Sequence, residues 1–137
     1  IKNNVIFANN ATLAGHVQIS NNVIIGGLSA IHQFVRVGEG AIIGGMSGVT
    51  SDIIPYGSVV GNRAKLNGIN LIGLKRKRIK KNQINAMRKL YKVLFEEKKM
   101  NFSERISNLN TEYYKFDLCK KIILFLQENN SRPICHP

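Results

Sequence analysis

The chain of 137 residues is long enough for one domain or two small ones, and it carries a formal net charge of +12. No apolar run approaches the roughly 20 residues that a membrane-spanning helix needs, and no basic segment followed by an apolar one suggests a signal peptide. Since the first residue is Ile1 rather than Met, we expect a fragment or a processed product.

A six-residue repeat fills the first part of the chain, residues 1–54. Its nine hexads are IKNNVI, FANNAT, LAGHVQ, ISNNVI, IGGLSA, IHQFVR, VGEGAI, IGGMSG and VTSDII. The first place is always aliphatic or Phe, the fifth is small or β-branched, and the third and fourth carry most of the Asn and Gly. Six residues turn an α-helix by about 1.67 turns, which would scatter the aliphatic side chains around its axis. A short strand followed by a turn fits instead, and three such sides predict an 18-residue coil of a parallel β-helix.

Two histidines fall at outward places of this predicted prism. His16 has the fourth place of its hexad and His32 the second, and residue 16 stacks beneath residue 34. The two rings are therefore expected about 8 Å apart on one outer face. Gly15 leaves a backbone N–H uncovered beside them, so the group is predicted to bind a ligand or a developing oxyanion. The alternative is two ordinary surface histidines.

A metal site is not expected. Cys119 and Cys135 lack the spacing of zinc ligands or of a disulfide framework, so they are predicted to be free thiols in a reducing cytoplasm. A third zinc ligand beside the histidine pair is also missing, since His136 belongs to a C-terminal tail.

The second part of the chain, from residue 61, has helical periodicity. Apolar residues such as Ile84, Met87, Leu90 and Leu94 predict an amphipathic helix with Asn82 as its cap. The pattern as a whole predicts three or four short helices, followed by NNSRPICHP as a tail. We therefore divide the chain into a β-helix over 1–60 and an α-helical domain over 61–137. The flat flanks of the prism favour a closed symmetric oligomer, and together with the resemblance described below they predict a trimer with parallel axes.

The positive charge lies in the predicted helical part. Residues 1–60 hold two basic and two acidic side chains, whereas residues 61–137 hold 18 and six. The run KRKRIKK at 75–81 predicts a basic surface for an anionic partner. Nucleic acid is a remote alternative, because no aromatic residues interleave with the run and no recognition motif is present.

Four strings identify a resemblance to the bacterial UDP-N-acetylglucosamine acyltransferases, the enzymes that start lipid A synthesis. They are FANNATLAGHV, IGGLSAIHQF, GNRAKLNGINLIGLKR and RPICHP, and the likeness covers the C-terminal half of those enzymes. It implies a left-handed parallel β-helix followed by a helical domain, assembled as a homotrimer with active sites between subunits. Left-handedness comes from the resemblance alone, since ordinary crossover rules favour the right hand.

The reaction that the resemblance implies moves an R-3-hydroxyacyl chain from acyl carrier protein to the 3-hydroxyl of UDP-N-acetylglucosamine. No cofactor is implied, because the carrier thioester is itself a co-substrate. The family's general-base histidine corresponds to a position a few residues before Ile1, so 137 residues on their own are expected to give no turnover.

The resemblance also implies roles for individual residues. Gly15 resembles the glycine whose amide faces the thioester oxygen, and His16 and His32 resemble supporting histidines that bind and orient the substrates. The implied substrate-binding residues are Gln33, Gly45, Asn70, Arg76 and Lys77, of which Gly45 sets the depth of the acyl groove and the last three contact the diphosphate.

Three positions depart from the family pattern. Arg63 stands where a histidine is expected near the end of the groove, Lys77 replaces an arginine, and Ile72 replaces an acid. The length of the acyl chain and one polar contact to the sugar nucleotide therefore stay open. Lys75, Arg78, Lys80 and Lys81 are expected to steer the acidic carrier protein. The alternatives are the N-acyltransferase two steps later in the same pathway and a non-catalytic trimeric β-solenoid module.

Overall fold

The computed structural model describes residues 1–128 and 131–137, and the chain divides into two compact units. The first unit comprises Ile1–Asn70 together with the described C-terminal residues, and the second is Leu71–Glu128. The predicted boundary at residue 60 lies earlier, because β9 (Gly57–Val60) continues into β10 (Lys65–Ile69) as an antiparallel pair. This hairpin keeps the chain within the first unit as far as Asn70.

Eight two-residue strands form the sides of the β-helix. They are β1 Ile6–Phe7, β2 Thr12–Leu13, β3 Gln18–Ile19, β4 Ile24–Ile25, β5 Ala30–Ile31, β6 Arg36–Val37, β7 Ile42–Ile43 and β8 Gly48–Val49. Each strand joins the sixth place of one hexad to the first place of the next. Strands three apart pair in parallel, so that Ile6 aligns with Ile24 and Leu13 with Ile31. The sheets have the orders β1-β4-β7-β9-β10, β2-β5-β8 and β3-β6. The predicted 18-residue coil is confirmed.

The interior of the prism is aliphatic, as the repeat predicts. First-place residues such as Ile25 and Ile43 are at most 1% exposed, and fifth-place Val23 and Val35 are fully buried. Serine takes the fifth place twice, at Ser29 and Ser47. Both hydroxyls donate to the carbonyl of Gly44, at 2.9 and 2.6 Å, so these polar groups are satisfied inside the core.

The corners of the prism have left-handed backbone at the fourth place of the hexad. Asparagine or glycine was predicted there, and Asn10 (φ 61°) and Asn22 (φ 60°) agree. Bulky residues adopt the same conformation at His16, Leu28, Phe34 and Met46. A non-glycine residue in this region costs roughly 1–2 kcal/mol. Backbone hydrogen bonds between coils offset that cost, such as Phe34 N–H to the Gly15 carbonyl at 3.1 Å.

The ninth hexad, residues 49–54, departs from the predicted period. Val37 bridges to Ile53 instead of the residue eighteen places ahead, so this side of the coil is shorter and the prediction for VTSDII is wrong. Asp52, at the fourth place of this hexad, is fully buried. Its carboxylate accepts hydrogen bonds from Nε and from the backbone N–H of Arg36, both at 2.8 Å.

The C-terminal residues pack on the first unit rather than trailing as a tail. Residues 129 and 130 of the predicted tail lie outside the described residues. Beyond them, Ile134 forms a parallel bridge with Asp52, which donates to the Pro133 carbonyl and accepts from the Cys135 N–H, both at 2.8 Å. Cys135 is only 4% exposed. We call residues 131–137 the C-terminal strap.

The second unit is helical, as predicted. Its helices are α1 Leu71–Arg76, α2 Lys81–Phe95, α3 Phe102–Ser107 and α4 Asp117–Gln127, with a 3₁₀ turn at Thr111–Lys115. Asn82 does not cap α2, because the helix already begins at Lys81 and Lys80 occupies the cap position without a side-chain bond. No helix in the described part of the chain is both long and apolar enough to cross a bilayer.

Candidate functional site

Residues eighteen apart stack along the three edges of the prism. Asn4, Asn22 and Gly40 lie on the first edge, and Asn10, Leu28 and Met46 on the second. The third edge is formed by the stacked turns Gly15–His16 and Gln33–Phe34, and we call these residues, together with the adjacent His32, the histidine edge. Sequence-predicted site residues lie on all three edges, but they cluster only on the third.

His16 projects from a corner of the histidine edge. It is exposed, with φ 59°, and its imidazole stacks on the ring of Phe34 at a centroid distance of 5.1 Å and an interplanar angle of 10°. Phe34 is itself 42% exposed, so the pair forms a flat aromatic surface open to solvent. Sequence analysis did not single out Phe34, although the 18-residue period placed residue 34 directly above residue 16.

His32 directly follows β5 and lies beside the same edge. Its backbone N–H donates to the Val49 carbonyl at 2.8 Å, which fixes the chain where strand passes into turn. The ring is exposed, and its Nδ1 contacts the guanidinium of Arg132 from the C-terminal strap. Both imidazoles are therefore exposed, as the repeat predicts, while the expected distance between the two rings stays a prediction. Arg132 was missed because no local sequence signal links it to a histidine one hundred residues away.

Gly15 and Gln33 face each other across the two stacked turns. A Cβ at Gly15 would lie 3.4 Å from Nε2 of Gln33, so the Gln33 amide covers the side of the glycine that a side chain would occupy. Sequence analysis expected this side to be bare. The histidine edge thus combines two imidazoles, a carboxamide and a glycine backbone, all polar groups suited to binding oxygen atoms of a ligand.

The remaining predicted site residues lie elsewhere. Gly45 lies beside Met46 on the second edge, where an added Cβ would come 3.3 Å from the Gly27 carbonyl oxygen. Asn70 is fixed to the first edge, because its Nδ2 donates to the Gly40 carbonyl at 3.1 Å. Arg76 and Lys77 belong to the second unit. They are exposed at the end of α1.

The basic run forms an open positive surface. All six Lys and Arg side chains within 75–81 are exposed, and α1 has no acidic residue in its first turn. The salt bridges Arg36–Asp52 and Lys115–Glu112 both lie outside the run. Of the positions that depart from the family pattern, Ile72 is 67% exposed and Arg63 is also exposed.

The two thiols belong to the core rather than to a site. Both cysteines are free and buried, and burial raises the pKa of Cys119 to about 11 and also raises that of Cys135. A thiol that stays protonated is a poor nucleophile and a poor metal ligand. Within residues 1–128 and 131–137, no cluster of three His, Cys, Asp or Glu side chains is arranged to hold a metal ion.

Stacked hexads define the class of parallel β-helix proteins built from hexapeptide repeats. Residues 52–135 match the second domain of the family described as UDP N-acetylglucosamine O-acyltransferase. This match covers more than half of the chain, and the chain belongs to that family.

Relatives and solved structures agree with this assignment. The acyl-(acyl-carrier-protein)–UDP-N-acetylglucosamine O-acyltransferase of Caulobacter vibrioides is 53% identical over 133 residues, which is 97% of this chain and 50% of that protein. The enzyme of the same name from Thermodesulfovibrio yellowstonii is 50% identical over 98% of this chain and 52% of its own. The chain thus spans about half the length of the curated relatives that it matches.

Two crystal structures give the same result for the fold. UDP-N-acetylglucosamine O-acyltransferase from Moraxella catarrhalis RH4 superposes with a TM-score of 0.90 at 32% identity, covering 97% of this chain and 51% of that one. The acyltransferase from Campylobacter jejuni gives 0.88 at 40% identity, covering 98% and 51%. The predicted fold class, a left-handed parallel β-helix followed by helices, is confirmed.

Proposed function

We propose that this chain is part of an O-acyltransferase that moves an R-3-hydroxyacyl chain from acyl carrier protein to the 3-hydroxyl of UDP-N-acetylglucosamine, in lipid A synthesis. The observation that carries the proposal is the histidine edge, where His16, His32, Gln33 and Gly15 converge in a member of this family. Relatives named for this reaction match nearly the whole chain.

The proposed step is an acyl transfer in which the histidine edge supports the substrates. A general base takes the proton of the sugar 3-hydroxyl, the oxygen attacks the thioester carbon, and the carbon–sulfur bond breaks. The carrier thiolate leaves and takes up the proton. The Gly15 N–H would donate to the carbonyl oxygen as negative charge develops there, while His16 and His32 bind and orient the substrates. We assign the general base to no residue of this chain.

The sugar nucleotide is proposed to bind through its diphosphate. The planar guanidinium of Arg76 has forked donors that suit phosphate oxygens, Lys77 adds a point charge, and Asn70 offers an amide. Gly45, with no side chain beyond the Cα, is proposed to leave the acyl groove deep. A bulky residue at this position would shorten the acyl chain that is accepted.

We propose that the protein assembles as a homotrimer. The predicted site residues of the first unit lie on three different edges of one prism, and a closed ring brings different edges of neighbouring copies together. Light scattering should therefore give about three times the chain mass of 15.3 kDa. A monomer that binds the sugar nucleotide with full affinity would contradict this arrangement.

The sugar-nucleotide proposal is tested by calorimetry with UDP-N-acetylglucosamine. Binding is expected for the unmodified chain and at least about fivefold weaker for His32→Asn, because one hydrogen bond to the ligand is lost. His136→Asn is the matched control, since this exposed histidine lies outside the histidine edge. Preference for UDP-3-O-acyl-glucosamine would assign the chain to the N-acyltransferase. Binding of neither nucleotide would favour a non-catalytic module.

Acyl carrier protein is the proposed partner of the basic run, because that carrier is strongly acidic. Neutralising Lys75, Arg78, Lys80 and Lys81 together should slow association and flatten its dependence on ionic strength. The matched control neutralises four exposed lysines elsewhere, Lys2, Lys92, Lys98 and Lys99, which lowers the net charge equally. Equal effects of both variants would contradict a defined docking surface.

We further propose a cytoplasmic location, which two unpaired cysteines and a cytoplasmic carrier protein support. Cell fractionation with an antibody against the chain tests this. Recovery of the protein with periplasmic markers would contradict it.

A further inference from the structure

The C-terminal strap reaches the histidine edge through a single side chain. The Nε–H of Arg132 donates to the backbone carbonyl of Gln33 at 3.0 Å, and its Nη2 contacts Nδ1 of His32. One guanidinium therefore holds two adjacent residues of the edge at the same time. The planar fork of arginine suits this geometry, whereas a lysine ammonium provides only a point charge.

The contact with Arg132 decides which nitrogen of His32 carries the proton. A guanidinium has donors and no acceptor, so Nδ1 must offer its lone pair and the proton of the neutral ring must reside on Nε2. A competing arrangement exists, because the Gln33 carbonyl oxygen lies 3.4 Å from the same Nδ1. That oxygen would require an Nδ1–H donor instead, but such a proton would face the N–H donors of Arg132 Nη2, and the contact to the oxygen is the longer of the two.

The strap is anchored independently of Arg132. Asp52 holds the backbone of Pro133 and Cys135 on both sides of Ile134, and Leu66 N–H donates to the His136 carbonyl at 2.9 Å. Cys135 is buried, and its thiol donates to the Ala64 carbonyl at 3.3 Å. Arg132 thus projects from a segment that is fixed to the β-helix by backbone contacts.

We propose that Arg132 is a positioning residue for the histidine edge, which holds His32 as the tautomer with Nδ1 unprotonated and an Nε2–H donor free for a ligand oxygen. The role of that donor toward a substrate rests on the proposed function. The tautomer itself does not, so the two can fail separately.

The test is nitrogen NMR of the full chain with labelled histidine. The chain has only three histidines to assign. At about pH 8.5 the two-bond nitrogen–proton pattern identifies the tautomer of a neutral histidine. His32 should show an unprotonated Nδ1. Arg132→Met retains the aliphatic stem and removes the donors. The His32 nitrogen signals should then shift toward a mixture with the Nδ1–H tautomer, whose N–H can donate to the Gln33 carbonyl.

Ile134→Ala serves as the control for a loosened strap, because it trims the anchor and leaves Arg132 intact. It should leave the His32 tautomer unchanged, while the signals of His16 and His136 report whether the fold is retained. The proposal is overturned if wild-type His32 carries its proton on Nδ1, if Arg132→Met leaves the tautomer unchanged, or if Ile134→Ala shifts it equally.

A second readout links the tautomer to ligand binding. Calorimetry with UDP-N-acetylglucosamine should show about fivefold weaker binding for Arg132→Met and unchanged binding for Ile134→Ala. A tautomer shift without any change in affinity would overturn the role of the Nε2 donor. Absence of binding to the unmodified chain would instead overturn the proposed function, while the NMR result still decides whether Arg132 positions His32.

Discussion

Replacing Asp52 by asparagine should strongly destabilise the first unit. The carboxylate is fully buried and accepts two hydrogen bonds at 2.8 Å from Arg36, which is only 7% exposed. Asparagine keeps the volume and one acceptor oxygen, but it removes the charge that balances the guanidinium in a buried place. Breaking one side of a buried ion pair costs about 3–5 kcal/mol. For a chain of this length, that corresponds to a drop in melting temperature on the order of 10–20 °C.

Denaturant unfolding followed by circular dichroism measures this change from the shift in midpoint. Glu112→Gln is the matched control, because it removes a carboxylate from an exposed ion pair with Lys115 at 3.8 Å, worth about 0–1 kcal/mol. The double variant Arg36→Met with Asp52→Leu should recover only part of the stability, since both charges are gone but the backbone N–H of Arg36 loses its acceptor. A loss below about 1 kcal/mol for Asp52→Asn would refute the reasoning.

Three further predictions concern the glycines, a thiol and the strap. Gly26→Ala should unfold the β-helix, because its Cβ would lie 2.4 Å from the Gly45 backbone nitrogen. Gly45→Ala, whose Cβ would lie 3.3 Å from its nearest atom, should lower the free energy of unfolding by about 1–2 kcal/mol. Thermal melts compare the two variants. Burial raises the pKa of Cys119 from 9.0 to about 11, so the fold favours the neutral thiol. The stabilisation from the neutral thiol should be fully present below about pH 9 and should be lost, by up to about 2 kcal/mol, as the pH rises toward 11. Cys119→Ala should not show this loss in melts recorded at different pH. Deleting residues 132–137 removes three backbone hydrogen bonds, so the free energy of unfolding should fall by at least about 2 kcal/mol. An unchanged denaturation midpoint would show that the strap is not bound in solution.

Much of the β-helix could be predicted because its repeat is local. Each hexad carries its own aliphatic first place and its own turn, so the position of Ile25 beneath Ile43 follows from counting residues. The same counting placed residue 34 above His16, where the structure stacks Phe34. The predictions held wherever one coil repeats the contacts of the coil before it.

The parts that could not be predicted depend on contacts between residues far apart in the chain. The shortened ninth hexad contains Asp52, which contacts Arg36 and a strap that begins more than 75 residues later. Arg132 reaches His32 by the same long route. The start of α2 was missed for a different reason, since Asn82 resembles a cap while its carboxamide oxygen accepts the N–H of Gln83 inside the first turn.

The corners of the prism separate the residues that build the molecule from those available for chemistry. Stacking between coils favours the left-handed backbone at the fourth place of the first eight hexads, and residues as different as Asn22, Leu28 and Phe34 adopt it. Side-chain identity at these places is therefore only weakly constrained by folding. Exposed side chains at the corners can therefore change during evolution without changing the interior. One architecture can in this way carry sites for different substrates.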